Sequence, residues 1–185
     1  MLYEYQEDPR NIVVWTDADF AGCIKTRQST SGGVIMRGSH LVKSWSITQA
    51  AIALSSGEAE YYAMVKGGCL GIGMQRIMSD LEVKADIEIS IDASAAKGIA
   101  SRIGFGHVRH IEVSQLWLQE HVSIGKLKVN NVDGGDNLAD ALTKHVSKEI
   151  LTKHLSKVNS VIVAGRHILS PAVDRLHAYQ VPPPL

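Results

Sequence analysis

Two cysteines in 185 residues are too few for a disulfide framework. Neither Cys23 nor Cys69 has a second cysteine at zinc-finger spacing, so a structural zinc site is excluded. Both read as reduced, small apolar side chains. An excess of charge of one sign is also missing: Lys and Arg total 19, Asp and Glu total 19, and the formal net charge is zero. A freestanding nucleic-acid binder carries a basic surplus. Any contact of this chain with a polyanion must come from a local patch, from bound metal or from a tethered neighbour. No apolar run approaches the ~18 residues of a spanning helix. The opening residues, Met1 to Arg10, carry charges where a secretory signal needs an apolar stretch. A soluble, intracellular chain without membrane contact is expected.

What is present is ordinary globular material, 45% apolar and 21% charged, long enough to bury a core of its own. One domain over residues 1–158 is expected, followed by a C-terminal tail, 159–185, that carries no second hydrophobic core and is expected to be poorly ordered.

Ile12 to Trp15 is a β-branched apolar run that reads as a strand and leads into Asp17. A loop with Lys25, Arg27, Ser29, Thr30 and Ser31 follows. Gly33 to Met36 and Leu41 to Trp45 are two further strands around the turn Arg37-Gly38-Ser39, hence an antiparallel hairpin. Residues 55 to about 80 read as a helix capped by Ser55 or Ser56, with Glu58 in its first turn. Gly67, Gly68, Gly71 and Gly73 imply a break there or close helix packing, since each interior glycine costs ~1 kcal/mol relative to alanine. Asp86 to Ile91 alternates as a fourth strand and ends at Asp92. A short helix from Ala93 to Ser101, a helix from Ile111 to Val122 and a fifth strand from Leu127 to Val132 come next. A last helix is expected from Asp136 or Asn137 to about Leu155, carrying Asp140 near its start. The order describes a mixed α/β sheet with helices on its faces.

Asp17 and Asp92 each follow a strand, and Glu58 and Asp140 each open a helix. If the first and fourth strands are neighbours, the two aspartates lie side by side, and two helix N-termini bring the other carboxylates to the same edge. Clustered carboxylates repel one another, a cost that a divalent cation with hard oxygen preference reverses. The same residues also serve for capping and helix-dipole reasons.

Five strings carry more than spacing does. Trp15-Thr16-Asp17-Ala18-Asp19-Phe20-Ala21-Gly22, Arg27-Gln28-Ser29-Thr30-Ser31-Gly32, Ala53-Leu54-Ser55-Ser56-Gly57-Glu58-Ala59-Glu60-Tyr61, Arg109-His110-Ile111-Glu112 and Asn137-Leu138-Ala139-Asp140-Ala141-Leu142-Thr143-Lys144 resemble, in order, the ribonuclease H domain of copia-type LTR retrotransposon polyproteins. The resemblance implies an RNase H-like fold, a five-stranded mixed sheet whose first three strands are antiparallel, flanked by helices. It implies hydrolysis of the RNA strand of an RNA/DNA hybrid with two Mg²⁺ ions, which Mn²⁺ can replace. It implies a reverse transcriptase domain in cis within a polyprotein, in a cytoplasmic particle or the nucleus. By motif position the catalytic and metal-binding carboxylates are Asp17, Glu58, Asp92 and Asp140. Asp17 is expected to bridge both ions, Glu58 and Asp92 to complete one shell and Asp140 the other. Asp19 and Glu60 are placed behind these ligands rather than among them.

Substrate contacts are expected from Arg27, Ser29, Thr30, Ser31, Ser94, Arg109 and His110, and a local basic surplus (Lys97, Arg102, Arg109, Lys126, Lys128) is available for phosphates. Trp45 and Trp117 are read as core rather than as base-stacking platforms. The sequence departs from the family after Asp92, where Ala93 and Ser94 stand in place of amides suited to 2′-hydroxyls. It also departs at Glu112, where an aspartate is usual. The loop from Asp133 to Asn137 holds no histidine, so no histidine is assigned to catalysis, and His107 and His110 read as surface or packing residues. Two other readings are a silent module of the same fold that binds protein or nucleic acid, and a DNA-cutting relative on that fold. Metal-dependent cleavage of a hybrid separates the first reading from the silent module, and a duplex-DNA control exposes the DNA-cutting relative.

Overall fold

The computed structural model describes residues 1–104, 111 and 113–161. Five strands form one sheet: β1 (Asn11–Asp19), β2 (Thr30–Arg37), β3 (His40–Thr48), β4 (Asp86–Ile91) and β5 (Leu127–Asn131). Their spatial order is β3-β2-β1-β4-β5. β1 pairs antiparallel with β2, and β2 with β3; β1 pairs parallel with β4, and β4 with β5. The fold class is the expected one. The strands run longer than their apolar cores, so Thr30 and Ser31 belong to β2 and not to the preceding loop.

Alternation along β1 divides the two layers. Ile12, Val14 and Thr16 face α1 (Ser56–Asp80), which packs across the sheet over a core of Ile35, Tyr61, Met64, Ile87, Ile89 and Ile91. Trp15 faces the other way, against a smaller cluster of Val34, Met36, Leu138 and Val158. Asp17 shares Trp15's parity and so opens on that second face.

α1 is unbroken through its glycines, because they are where it meets the sheet. A Cβ on Gly67 would come within 2.4 Å of the Thr16 methyl, and one on Gly71 within 3.0 Å of Val14. Close packing, rather than a break, is therefore what these residues provide.

Two expectations are corrected. The helix expected over 111–122 starts with a 3₁₀ turn, Val113–Gln115, and becomes α-helical only as α3 (Trp117–Ser123); the short helix before it is α2 (Ser94–Ala100). The helix expected from 136 to 155 is instead two 3₁₀ turns, Gly134–Asp136 and Asp140–Leu142, followed by α4 (Lys148–Lys157). Ser147 caps α4 by accepting from the Ile150 N–H, which sets its start eleven residues later than Asp136 suggested. Cys23 and Cys69 are both free, as expected, and exposed. Among the described residues no helix is long and apolar enough to cross a membrane. Most of the expected tail lies outside the described residues.

Candidate metal centre

β1 and β4 run side by side in parallel, so their C-terminal ends emerge at one edge of the sheet. Asp17 lies near the end of β1 and Asp92 one residue beyond β4. Asp140 reaches the same edge from the 3₁₀ turn Asp140–Leu142. Its position depends on Asn137, which is fully buried: the amide Nδ2 donates to the Thr16 carbonyl at 3.0 Å and Oδ1 accepts from the Ala139 N–H at 3.1 Å. One side chain thus fastens this turn to β1 beside Asp17. Carboxylate oxygens of Asp17, Asp92 and Asp140 all lie within 4.8 Å of one another. These are three of the four carboxylates expected.

Glu58 is not brought to this group. Ser55 caps α1 by accepting from the Glu58 N–H at 3.2 Å, and Glu58 turns back toward the chain entering the helix. Its Oε2 accepts from the Leu54 N–H at 2.8 Å and its Oε1 from the Tyr62 hydroxyl at 2.7 Å. The sequence has the Ser-x-x-Glu form of a capping box, but the glutamate accepts from the backbone N–H one residue before the cap, that of Leu54, rather than from the cap residue itself. Glu60 stands two residues on, about 200° around the helix, so it faces where Glu58 cannot. It is buried, and its Oε2 has no hydrogen-bond partner among the described residues. Burial, then the charges of Asp17 and Asp92, push its carboxyl up to about 8, against a backbone hydrogen bond from Ala18 and the charge of Lys144. The hydrogen bond from Ala18, the residue after Asp17, sets Glu60 beside the group of three without making it a member. The signal that could have found it was in the motif: a glutamate three residues after a capping serine is committed to the cap, which leaves the second glutamate.

Burial and the charges of Asp17 and Asp92 also raise the Asp140 carboxyl to about 6, with Lys144 opposing. The Lys144 ammonium lies 3.0 Å from Asp140 Oδ1 and 3.6 Å from Asp17 Oδ1. Burial works against its charge, but the hydrogen bond to Asp140 and the surrounding aspartates raise its pKa overall. The Thr143 hydroxyl donates to Asp17 Oδ2 and lies 3.1 Å from the Asp140 carbonyl. Neither Thr143 nor Lys144 was given a role from sequence. Asp19 lies with its carboxylate against Gly22, outside the group of three.

The expected substrate contacts divide. Arg27 is exposed, in a left-handed conformation at φ 57°, and Ser94 is exposed at the start of α2. Thr30 is half-buried on β2. Ser29 and Ser31 are buried: the Ser29 hydroxyl accepts from the Ala21 N–H at 3.0 Å, and that of Ser31 from Gln49 Nε2 at 2.9 Å. They shape the loop and the β2–β3 edge and do not face solvent. Arg109 and His110, with His107 and Glu112, lie outside the described residues. Trp45 is core and Trp117 packs against it, as read.

An all-oxygen donor set with a buried, unpartnered carboxylate oxygen among it fits a hard divalent cation. The architecture has a solved counterpart. The N-terminal RNase H domain of rv2228c from Mycobacterium tuberculosis, solved as a fusion with maltose-binding protein, matches 79% of this chain and 96% of its own at a TM-score of 0.51 and 14% identity. The chain is thus an RNase H-like domain in fold. In sequence it is homologous to one segment of the copia-type, retrovirus-related Pol polyproteins of plant transposons. It is 31% identical over 136 residues to the Pol polyprotein from transposon TNT 1-94 of Nicotiana tabacum, and 26% identical over 147 residues to that from transposon RE1 of Arabidopsis thaliana. These alignments cover 72% and 78% of this chain but 10% of each relative, so the chain spans about a tenth of the curated relatives it matches. No family model matches the chain.

Proposed function

We propose that the chain is an endoribonuclease that hydrolyses the RNA strand of RNA/DNA hybrids, the ribonuclease H module of a retrotransposon reverse transcriptase. The convergence of Asp17, Asp92 and Asp140, with Glu60 coupled to them, supports this reading most directly. Asp17, Asp92, Asp140 and Glu60 would hold Mg²⁺ or Mn²⁺, with Glu60 in the place first expected of Glu58. Two such ions supply a clamp for the attacking and leaving oxygens of an in-line phosphodiester displacement.

The chain's own residues do the rest. Asn137 and the β1–β4 pairing hold the carboxylates in register before substrate arrives. The Thr143 hydroxyl fixes the Asp17 carboxylate. Exposed Arg27 and Ser94 flank the edge and bind the hybrid backbone, together with Arg109 and His110. A neutral chain gains little affinity from its own field, so the reverse transcriptase domain in cis supplies most of the hold on the hybrid.

The test is a labelled RNA/DNA hybrid incubated with the purified chain and Mg²⁺ or Mn²⁺, beside Asp17→Asn. RNA-strand cleavage leaving 5′-phosphate and 3′-hydroxyl ends is expected, with single-stranded RNA and duplex DNA spared and the variant down at least about a hundredfold. Cleavage of duplex DNA instead, or equal activity in Asp17→Asn, overturns the proposal.

A further inference from the structure

Four carboxylates at one edge present a charge problem that a fold must solve before any ligand is bound. Asp17 and Glu60 are buried, Asp140 nearly so, and like charges at this spacing destabilise one another. Among the described residues, the cation paired with these aspartates is Lys144, bridging Asp140 and Asp17. It follows the turn that carries Asp140, four residues on, and its backbone N–H donates to the Asp140 carbonyl at 3.1 Å, so the two are positioned together. The Asn137-to-Lys144 string therefore delivers a carboxylate and its counter-charge together.

The contacts Lys144 makes are also the contacts a divalent ion needs. Its ammonium lies on Asp140 Oδ1 and within 3.6 Å of Asp17 Oδ1, oxygens of two of the three residues that converge. The buried Glu60 Oε2, which has no hydrogen-bond partner among the described residues, is a further oxygen that Lys144 does not satisfy. Lys144 has a flexible stem and a side chain that is 46% exposed, so it can leave without disturbing the packing.

We infer that Lys144 is a tethered counter-ion of the acidic edge: it holds the carboxylates together and competes with divalent ions for Asp140 and Asp17. It is a positioning residue, set against metal affinity in exchange for an assembled site. The inference rests on reading the edge as a metal centre.

The experiment is calorimetric titration of the full chain with Mn²⁺, without nucleic acid, for the wild type, Lys144→Met, Lys144→Gln and Lys144→Arg, with thermal unfolding of each in EDTA. The two neutral variants are expected to bind Mn²⁺ about tenfold more tightly, with Arg within about threefold of the wild type. In EDTA the neutral variants are expected to unfold below the wild type, a deficit that saturating Mn²⁺ removes. Mn²⁺ affinity that is unchanged or weaker in a neutral variant whose folding is intact by circular dichroism overturns the inference while leaving the metal centre standing. A wild type that binds no Mn²⁺ overturns the metal reading itself, and this inference with it.

Discussion

The two glutamates of the Ser55-to-Tyr61 string show how much two residues of helical phase decide. Motif position alone assigned the metal role to Glu58, and both residues carry the same functional group within two positions. What separates them is geometry: Glu58 closes the helix cap through Leu54 and Tyr62, while Glu60 faces Asp17 and Asp92. The same gap explains Ser29 and Ser31. A hydroxyl in a polar string reads as available to a ligand, and only burial shows that Ala21 and Gln49 have already taken it. Asp17 and Asp92 were legible because strand ends are legible; Asp140 was legible from its motif, although the element that carries it was read as a helix. Glu60→Gln removes a buried carboxyl whose ionisation burial and Asp17 oppose, and is expected to raise the unfolding temperature in EDTA by roughly 2–4 °C, for about 1 kcal/mol. It is also expected to abolish the further rise that Mg²⁺ or Mn²⁺ gives the wild type. Scanning calorimetry with and without metal checks both halves.

At the scale of elements, β1, the β2–β3 hairpin, α1 and β4 were readable from alternation, turn residues and a capping serine. The segment after β5 was not, because Asp136 and Asn137 look like helix caps and are used otherwise. Asn137 spends its amide on Thr16 and Ala139, and Asp136 pairs with Lys153 at 2.6 Å and Lys157 at 2.9 Å on α4. Side chains engaged across the fold cannot be read from local pattern. Those two lysines hold the Asp136 carboxyl at about 2, below its ordinary 3.8. A depressed carboxyl contributes stability that is fully present above the ordinary value and is lost as pH falls through the folded one. Acid unfolding between about pH 4 and 2 is therefore expected to be less steep in Asp136→Asn, the difference shrinking at high salt because the pair is exposed.

The glycines of α1 make a second element-scale prediction. Gly67→Val drives a branched side chain into Thr16 and Val14 and is expected to cost about 1–3 kcal/mol. Gly73 has nothing within 4 Å of a Cβ, so Gly73→Ala is expected to stabilise by up to ~1 kcal/mol. Denaturant unfolding of the pair tests whether the sheet contact or the helix propensity governs each position.

For the molecule as a whole, the mixed sheet serves chemistry by its topology. Placing parallel β4 beside antiparallel-paired β1 brings the ends of two strands together, and the chain that returns after β5 adds Asp140 to them. The order of elements was enough to expect this edge. It could not show that Lys144 lies across it, since a lysine four residues after an aspartate is also an ordinary solvated helix pair. The neutral charge of the chain is why the proposed function assigns most of the hold on the hybrid to a partner in cis.

The proposed hybrid hydrolysis turns on which carboxylates the edge uses. The most direct measurement is the initial rate of RNA-strand cleavage in an RNA/DNA hybrid with Mg²⁺ or Mn²⁺, for the wild type, Glu60→Gln and Glu58→Gln. The predicted result is metal-dependent cleavage by the wild type, a loss of at least about a hundredfold in Glu60→Gln and a rate within about tenfold of the wild type in Glu58→Gln. A wild type inactive with either ion, or a Glu60→Gln variant as active as the wild type, would contradict it.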